Sequence, residues 1–405
     1  MLECKKTPTW EDRLRVLTTF LFGLLCMATP ALGADKPVKI GMLMELSGTF
    51  GTSGKLVQHG FQFVLQQHGG MLGGQKVDIV TEDTAADPAT AITKVKKLVE
   101  YDHVDVLVGP VNSATGAAVR NYVIEQKIPM LTMSTVAEVI DGKYMFRTSF
   151  DGNAEGYLEG FLPGKAGHKK AVLFAPNYLA GQVAEKYFEK GFNDAGGKVV
   201  QKLLPRVGAE DYGSFIGQIS SDADVAIVFF PGSDAVRFLK QWNDYGMKLP
   251  LFGFTVTVDE TLLPTEGPSA LGFIGASQYF STIDIPENKA FLKDWNAAHQ
   301  SAPEKPSWLT LSGWIAAATL DHALGVVKGD LSDKEAFLKA IKKTKLSTPA
   351  GPFRFDDNQN PILPRYVMQI REVDGKAQPV VIATIPEFIP NGKPPDLPAG
   401  FTLPK

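Results

Sequence analysis

The chain has 405 residues, 44% of them hydrophobic and 21% charged, which is apolar material for two packed cores rather than one. With 41 Lys and Arg against 44 Asp and Glu, the formal net charge of -3 offers no basic surface for nucleic acid or an anionic membrane. The cysteines are Cys4 and Cys26 alone.

At the N-terminus, Lys5, Lys6, Arg13 and Arg15 precede an apolar run from Val16 to Met27. That run has the length of a signal peptide's hydrophobic region and is too short to span a bilayer. Ala31-Leu-Gly33 supplies small residues at the cleavage positions, so residues 1–33 read as a signal peptide cut after Gly33, with a mature chain from Ala34. A lipoprotein attached through Cys26 is the alternative, but Leu25 is bulkier than such processing usually takes. Both cysteines fall in the removed segment, which excludes disulfides, thiolate metal sites and cysteine nucleophiles from the mature protein. No later stretch is apolar enough for a transmembrane helix.

From Val38 onward strand and helix alternate. Val38 to Met44 is an apolar strand, Leu46-Ser-Gly-Thr-Phe-Gly51 a glycine-rich loop, and Gly54 to Gln67 a helix with Leu56, Val57, Phe61, Val64 and Leu65 at helical spacing. After the turn glycines 69, 70, 73 and 74 comes a strand at Val77 to Val80, and Pro88 opens a helix to Tyr101. The strand beginning at Val104 ends at Gly109-Pro110. A helix follows at once, capped by Asn112 or Ser113, so its first turn presents N–H groups and the positive end of its dipole beside an open loop, a setting that suits an anion. Strands at Ile128 to Met133 and Met145 to Ser149 complete the series. Such alternation marks a parallel sheet covered by helices.

The order then restarts. A strand at Ala171 to Phe174, a loop Ala175 to Gly181, a helix to Asn193 and a strand at Val199 to Leu204 repeat the opening. In both passages Gly-Phe leads to a paired-glycine turn, as Gly60-Phe61 to Gly69-Gly70 and Gly191-Phe192 to Gly196-Gly197. Val225 to Phe230, Leu251 to Phe254 and Phe273 to Ala276 follow as strands. After Tyr279 the pattern changes to helices at Pro286 to Ala298, Trp308 to Val327 and Asp333 to Lys343. Trp308, Leu311, Ile315, Ala318 and His322 share one face, read as core. Strands at Phe353 to Phe355 and Tyr366 to Val373, the turn Asp374-Gly375 and a strand at Val380 to Ala383 precede a proline-rich tail, 389–405, expected to be loose.

Enzyme signatures are lacking. Gly48-x-x-Gly51-x-x-Gly54-Lys55 has the wrong spacing for a phosphate loop, and Leu56 stands where Ser or Thr is required. There is no Gly-x-Ser-x-Gly elbow. His59, His68, His103, His168, His299 and His322 are scattered without the spacing of a zinc helix. No catalytic residue, metal or cofactor is expected.

Val38-Lys-Ile-Gly41, Leu46-Ser-Gly48, the paired glycines, Asp83 and Pro88, Val108-Gly-Pro-Val-Asn-Ser113 and Phe146-Arg147 stand in an order that resembles the periplasmic substrate-binding proteins of branched-chain amino acid ABC importers. The resemblance covers the whole mature chain and implies the type I periplasmic binding fold. That fold is α/β, with two Rossmann-like lobes of parallel sheet, three hinge crossings and a ligand cleft between the lobes. The crossings would lie near Asp151, Ser281 and Asp356. They divide the chain into an N-terminal lobe, 38–151 plus 282–356, and a C-terminal lobe, 152–281 plus 357–388.

Carried over by motif, the resemblance implies that Phe50 packs on the ligand and that Ser113, beside Asn112, hydrogen-bonds its carboxylate. Ser134 and Val136 would frame that carboxylate, Tyr178 would close over the ligand, and Phe230 to Ser233 would add an apolar wall. The loop after the Leu251 strand contributes Phe254 and Thr255. Amino-acid binders of the family place an acidic residue in this loop for the ammonium, whereas Gly253-Phe-Thr-Val-Thr257 has none before Asp259. An unpaired buried charge is costly, so the expected ligand is a carboxylate with an apolar or aromatic body. The alternative is a branched-chain or other hydrophobic amino acid held by Asp151 or Asp259. The implied partner is an ABC permease in the inner membrane, and the protein is expected in the periplasm as a monomer. A ligand-sensing protein reporting to a receptor shares the fold, and a secreted hydrolase is the remaining enzymatic alternative.

Overall fold

The computed structural model describes residues 36–300, 305–389, 393–395 and 397–404; the predicted signal peptide, with its cleavage point and Cys26, lies outside them. The first sheet contains β1 (Val38–Met44), β2 (Met71–Leu72), β3 (Gln75–Asp83), β4 (Val106–Val108), β5 (Met130–Thr132) and β6 (Met145–Arg147), in the order β2-β3-β1-β4-β5-β6. All pairs are parallel except the β2–β3 hairpin. Helices α1 (Gly51–Gln67), α2 (Pro88–Lys96) and α3 (Ser113–Gln126) make the crossovers, as parallel pairing requires.

Helix α4 (Gly152–Lys165) leads to the second sheet, which starts with β7 (Lys170–Phe174), α5 (Leu179–Asp194), β8 (Lys198–Leu203), β9 (Val225–Val228), α6 (Ser233–Asp244), β10 (Leu251–Gly253) and β11 (Ile274–Ser277). Its parallel part runs β8-β7-β9-β10-β11, the same arrangement as β3-β1-β4-β5-β6. In both, the order reverses between the first and third strands. A crevice opens at the carboxyl ends of the strands at such a switch point, and loops from both lobes converge there.

The chain then adds α7 (Pro286–Ala298), α8 (Trp308–Val327) and α9 (Lys334–Lys342), and α8 packs along α1 on the first lobe. Glycine makes this contact possible. A Cβ on Gly60 would fall 2.0 Å from Thr310 O, and one on Gly313 2.0 Å from Val57 O, so any side chain at either position would drive the helices apart. The helical face read from sequence needs correcting, because Ala318 is half-buried and His322 exposed while Ser312, Ala316, Thr319 and Ala323 are buried. Helix α8 is covered over most of its circumference, which no single stripe describes.

The last strands are β12 (Lys345–Thr348), β13 (Gly351–Phe355), β14 (Pro361–Val373) and β15 (Lys376–Phe388). The hairpin read at Asp374-Gly375 is present, joining β14 to β15, and β14 also runs antiparallel to β11 and pairs with β13, so the mostly parallel second sheet has an antiparallel edge. Short links join β12 to β13, β13 to β14 and β14 to β15, and links of that length permit only antiparallel pairing. The tail differs from expectation, since Leu397, Phe401 and Leu403 pack against the second lobe's core and bury apolar surface that a loose tail would expose.

Candidate functional site

β1 ends at Met44 and the next residue, Glu45, is fully buried. Its Oε2 accepts from Val111 N at 2.9 Å, and its Oε1 from Thr115 Oγ1 at 2.7 Å and Thr84 Oγ1 at 3.2 Å. Burial raises this carboxyl above the ordinary range, against the pull of the bonds from Thr115 and Val111. Glu45 thus ties the start of α3 to the end of β1. Beyond it Leu46 N donates to Asp83 Oδ1 at 2.9 Å, and a single 3₁₀ turn, Gly48–Phe50, carries the Phe50 ring to the cleft.

Helix α3 is capped by Asn112, whose Oδ1 accepts from Ala114 N at 2.8 Å and Thr115 N at 3.2 Å. Its carbonyl takes Gly116 N at 3.0 Å. The expectation of several open N–H groups is therefore too generous, because the cap consumes them and leaves Ser113 N as the first-turn donor without a partner among the described residues. Ser113 Oγ lies 3.4 Å from Thr135 Oγ1 and accepts from Thr135 N at 3.3 Å. These groups form a small, neutral hydrogen-bonding wall.

Behind this wall sits Arg147, fully buried. Its Nη1 donates to Thr135 O at 2.7 Å, Phe150 O at 3.2 Å and Asp151 Oδ2 at 3.2 Å, and its Nη2 to Val136 O at 2.9 Å. One guanidinium so joins the loop after β5 to the loop after β6. Arginine suits the task because its planar donors fan out to several acceptors at once.

Residues of both lobes enclose a cavity of about 530 Å³ at the strand ends. The first lobe contributes Phe50, Asn112, Ser113, Thr135, Trp308 and Leu309, and the second Tyr178, Phe229, Ser233, Arg237, Phe254 and Asp259. Aromatic rings run through it in contact. Tyr178 stacks on Phe229 at 6.2 Å, Phe229 meets Phe254 edge-on at 5.0 Å, Phe254 is 5.8 Å from Phe150, and Phe150 is 5.1 Å from Trp308. The series passes from the second lobe to the first through Phe150, two residues before α4 begins.

Of the residues singled out from sequence, Phe50, Asn112, Ser113, Tyr178, Ser233 and Phe254 line this cavity; Ser134, Val136, Asp151, Phe230 and Thr255 do not. Each of these five supports the site from behind. Ser134 Oγ donates to Pro110 O at 3.3 Å and Asn112 O at 3.2 Å. Val136 is buried and gives its carbonyl to Arg147. Asp151 caps α4, accepting Ala154 N at 2.9 Å, and pairs with Arg147. Phe230 is stacked 4.2 Å from Phe238 in the second core, and Thr255 Oγ1 donates to Ala276 O at 3.3 Å. In their places stand the immediate neighbours Thr135, Phe150, Phe229 and Val256. Trp308, read as core, also faces the cavity.

Among the lining residues only Arg237 and Asp259 carry charge. Arg237 reaches from α6 with its Nε on Ala209 O at 3.1 Å and its Nη2 against Asp234 Oδ1. Asp259 Oδ1 accepts from Thr261 N at 2.9 Å and Thr261 Oγ1 at 2.6 Å, and burial raises its carboxyl despite those bonds. Among the described residues no cluster of three His, Cys, Asp or Glu could hold a metal ion, and no helix is long and apolar enough to cross a membrane.

Two α/β lobes with matching strand order and a ligand-sized crevice at their switch points define a bilobal solute-binding protein. The Periplasmic binding protein family pattern matches residues 37–377, and the chain belongs to that family. Its members are extracytoplasmic solute binders of transport systems, not enzymes. The Leu/Ile/Val-binding protein homolog 6 of Brucella melitensis is 28% identical over 359 residues, covering 86% of this chain and 91% of that protein. A solute-binding protein of an ABC transporter from R. palustris, solved in complex with benzoate, superposes with a TM-score of 0.80 at 29% identity, covering 87% of this chain and 97% of that one. Another from R. palustris, in complex with 4-hydroxybenzoate, has a TM-score of 0.81 at 26% identity over 88% of this chain and 99% of that one.

Proposed function

We propose that this protein captures a small carboxylic acid with an aromatic body in the periplasm and delivers it to an ABC permease. The observation that carries the reading is the aromatic series from Tyr178 to Trp308 beside the neutral wall of Ser113 and Thr135. A carboxylate docks on Ser113 N, Ser113 Oγ and Thr135 Oγ1, and the ring inserts among Phe50, Phe150, Phe229 and Phe254. The benzoate and 4-hydroxybenzoate complexes of the R. palustris relatives support this ligand class.

The lobes, 38–151 plus 282–356 and 152–281 plus 357–388, open and shut about crossings near Asp151, Ser281 and Asp356. Ligand contacts to both walls favour the shut state, which the permease recognises. Export follows cleavage after Gly33, and the mature chain acts as a monomer. A second reading, a branched-chain amino acid, draws on Asp259, which lines the cavity and could face an ammonium group.

Thermal shift and calorimetry of the mature chain with benzoate, 4-hydroxybenzoate and leucine decide between them. An aromatic acid at a hundred times its Kd adds about 2.7 kcal/mol of stability. Stabilisation by leucine with none by either aromatic acid sinks the first reading.

A further inference from the structure

In the aromatic-acid reading the two charged residues of the cavity, Arg237 and Asp259, have no contact with the ligand's acid group. Two of Arg237's nitrogens are committed and the Tyr212 hydroxyl stands beside its guanidinium, while Nη1 makes no bond to a carboxylate or carbonyl among the described residues. Asp259 likewise spends Oδ1 on Thr261, and its Oδ2 accepts no hydrogen bond among the described residues. Both side chains line the cleft, and helix α6, which carries Arg237, packs against the segments on either side of Asp259, Thr255–Val258 and Leu263–Glu266. The first lobe contributes no charge to the lining. One wall therefore offers neutral donors for an acid, and the other a spare guanidinium N–H with a spare carboxylate oxygen.

We propose that Arg237 and Asp259 form a second polar subsite that takes a ring hydroxyl, so that the preferred ligand is a hydroxyl-bearing aromatic acid. This rests on the aromatic-acid reading and sharpens it. A hydroxyl both donates and accepts, so it satisfies Asp259 Oδ2 and Arg237 Nη1 together. A second carboxylate would meet the charge of Asp259, and an ammonium the charge of Arg237. An acid without the hydroxyl leaves both groups desolvated and unpaired, the situation in which a site rejects the poorer ligand most strongly.

Calorimetry with benzoate and 4-hydroxybenzoate on the wild type, Arg237→Gln and Asp259→Asn tests this, with a melting curve for each protein. The wild type should bind 4-hydroxybenzoate at least about tenfold tighter than benzoate, and each substitution should remove most of that preference by weakening 4-hydroxybenzoate, with benzoate held or tightened because the charge it left unpaired is gone. Because Arg237→Gln leaves buried Asp234 unpaired, Arg237→Lys is measured beside it; it keeps the charge, misplaces the donor, and should show the same selective loss. Equal wild-type affinities, or equal losses for both acids, overturn the subsite while leaving the aromatic-acid reading intact. Binding of leucine with neither aromatic acid bound overturns both.

Discussion

In the first lobe β4 passes to α3 through Gly109 to Asn112, and in the second β9 passes to α6 through Phe229 to Gly232. The connection is topologically the same, and each helix begins at a serine, Ser113 or Ser233. The chemistry around the two starts differs. Asn112 caps α3 with its own side chain and Glu45 braces it from beneath, so that wall is neutral and fixed from within. The start of α6 has Gly232 at φ 56° with no side-chain cap, an aromatic at Phe229, and Asp234 and Arg237 in its first turns. Gly232 is needed there because a side chain is strained at positive φ. One fold unit is thus built twice, once with a neutral, internally capped helix start and once with a charged one.

The comparison can be broken most severely behind the first wall. Arg147→Met leaves Asp151 buried without its partner and strips donors from Thr135 O, Val136 O and Phe150 O. We expect a loss of about 3–5 kcal/mol in urea unfolding. Glu45→Ala should cost about 1–3 kcal/mol, since Val111 N and Thr115 Oγ1 lose their acceptor, and it should weaken acid binding by loosening the start of α3. Glu45→Gln, which keeps one acceptor, should lie between it and the wild type.

Stability is expected to depend on pH through two buried carboxyls of the second lobe that lie outside the cavity lining. Burial, with the charge of Asp259 adding to it, raises Glu266 to about 9, and both its oxygens lack partners among the described residues; burial also raises Glu260 to about 7. Both folded-state values lie above the unfolded one near 4.5. Their contribution is therefore fully present below that pH and is lost as pH rises towards 9, with a slope of at most about 1.4 kcal/mol per pH unit for each group. Glu266→Gln should flatten part of the fall in stability between pH 5 and 8, the remainder coming from the other carboxyls that burial raises, Glu45, Glu159, Asp259 and Glu260 among them. An unchanged slope would remove Glu266 as its source.

The gentlest test acts on the docking wall itself. Ser113→Ala should weaken binding of the acid by about 1 kcal/mol, or about fivefold, with a smaller loss of stability from the long 3.3 Å bond of Thr135 N that it removes. A matched loss of stability would make Ser113 a structural residue instead.

Much of this architecture was legible from residue patterns. Alternating apolar runs and helical spacings located the parallel strands of both lobes, and the strand-to-helix turns at Phe50, Ser113 and Tyr178 pointed to the cleft. The one-residue offsets between the residues singled out and those lining the cavity have a physical cause. Val225, Ala226, Ile227 and Val228 are all fully buried, as are Met130, Leu131 and Thr132, so the burial of these strands does not alternate to tell which side of the chain faces which way at their ends. Phe230 in place of Phe229, and Ser134 and Val136 in place of Thr135, are single-residue slips of that kind.

Composition and periodicity by themselves determined that the chain forms two α/β lobes, with cysteine confined to the predicted leader and no enzyme signature. Only the tertiary structure decided which side chains face the ligand space. Arg237, three residues after Asp234, reads in sequence as an ordinary helical ion pair, and Trp308 as one more core residue. Their proximity to the cleft depends on contacts between segments far apart in the chain, which local spacing does not encode.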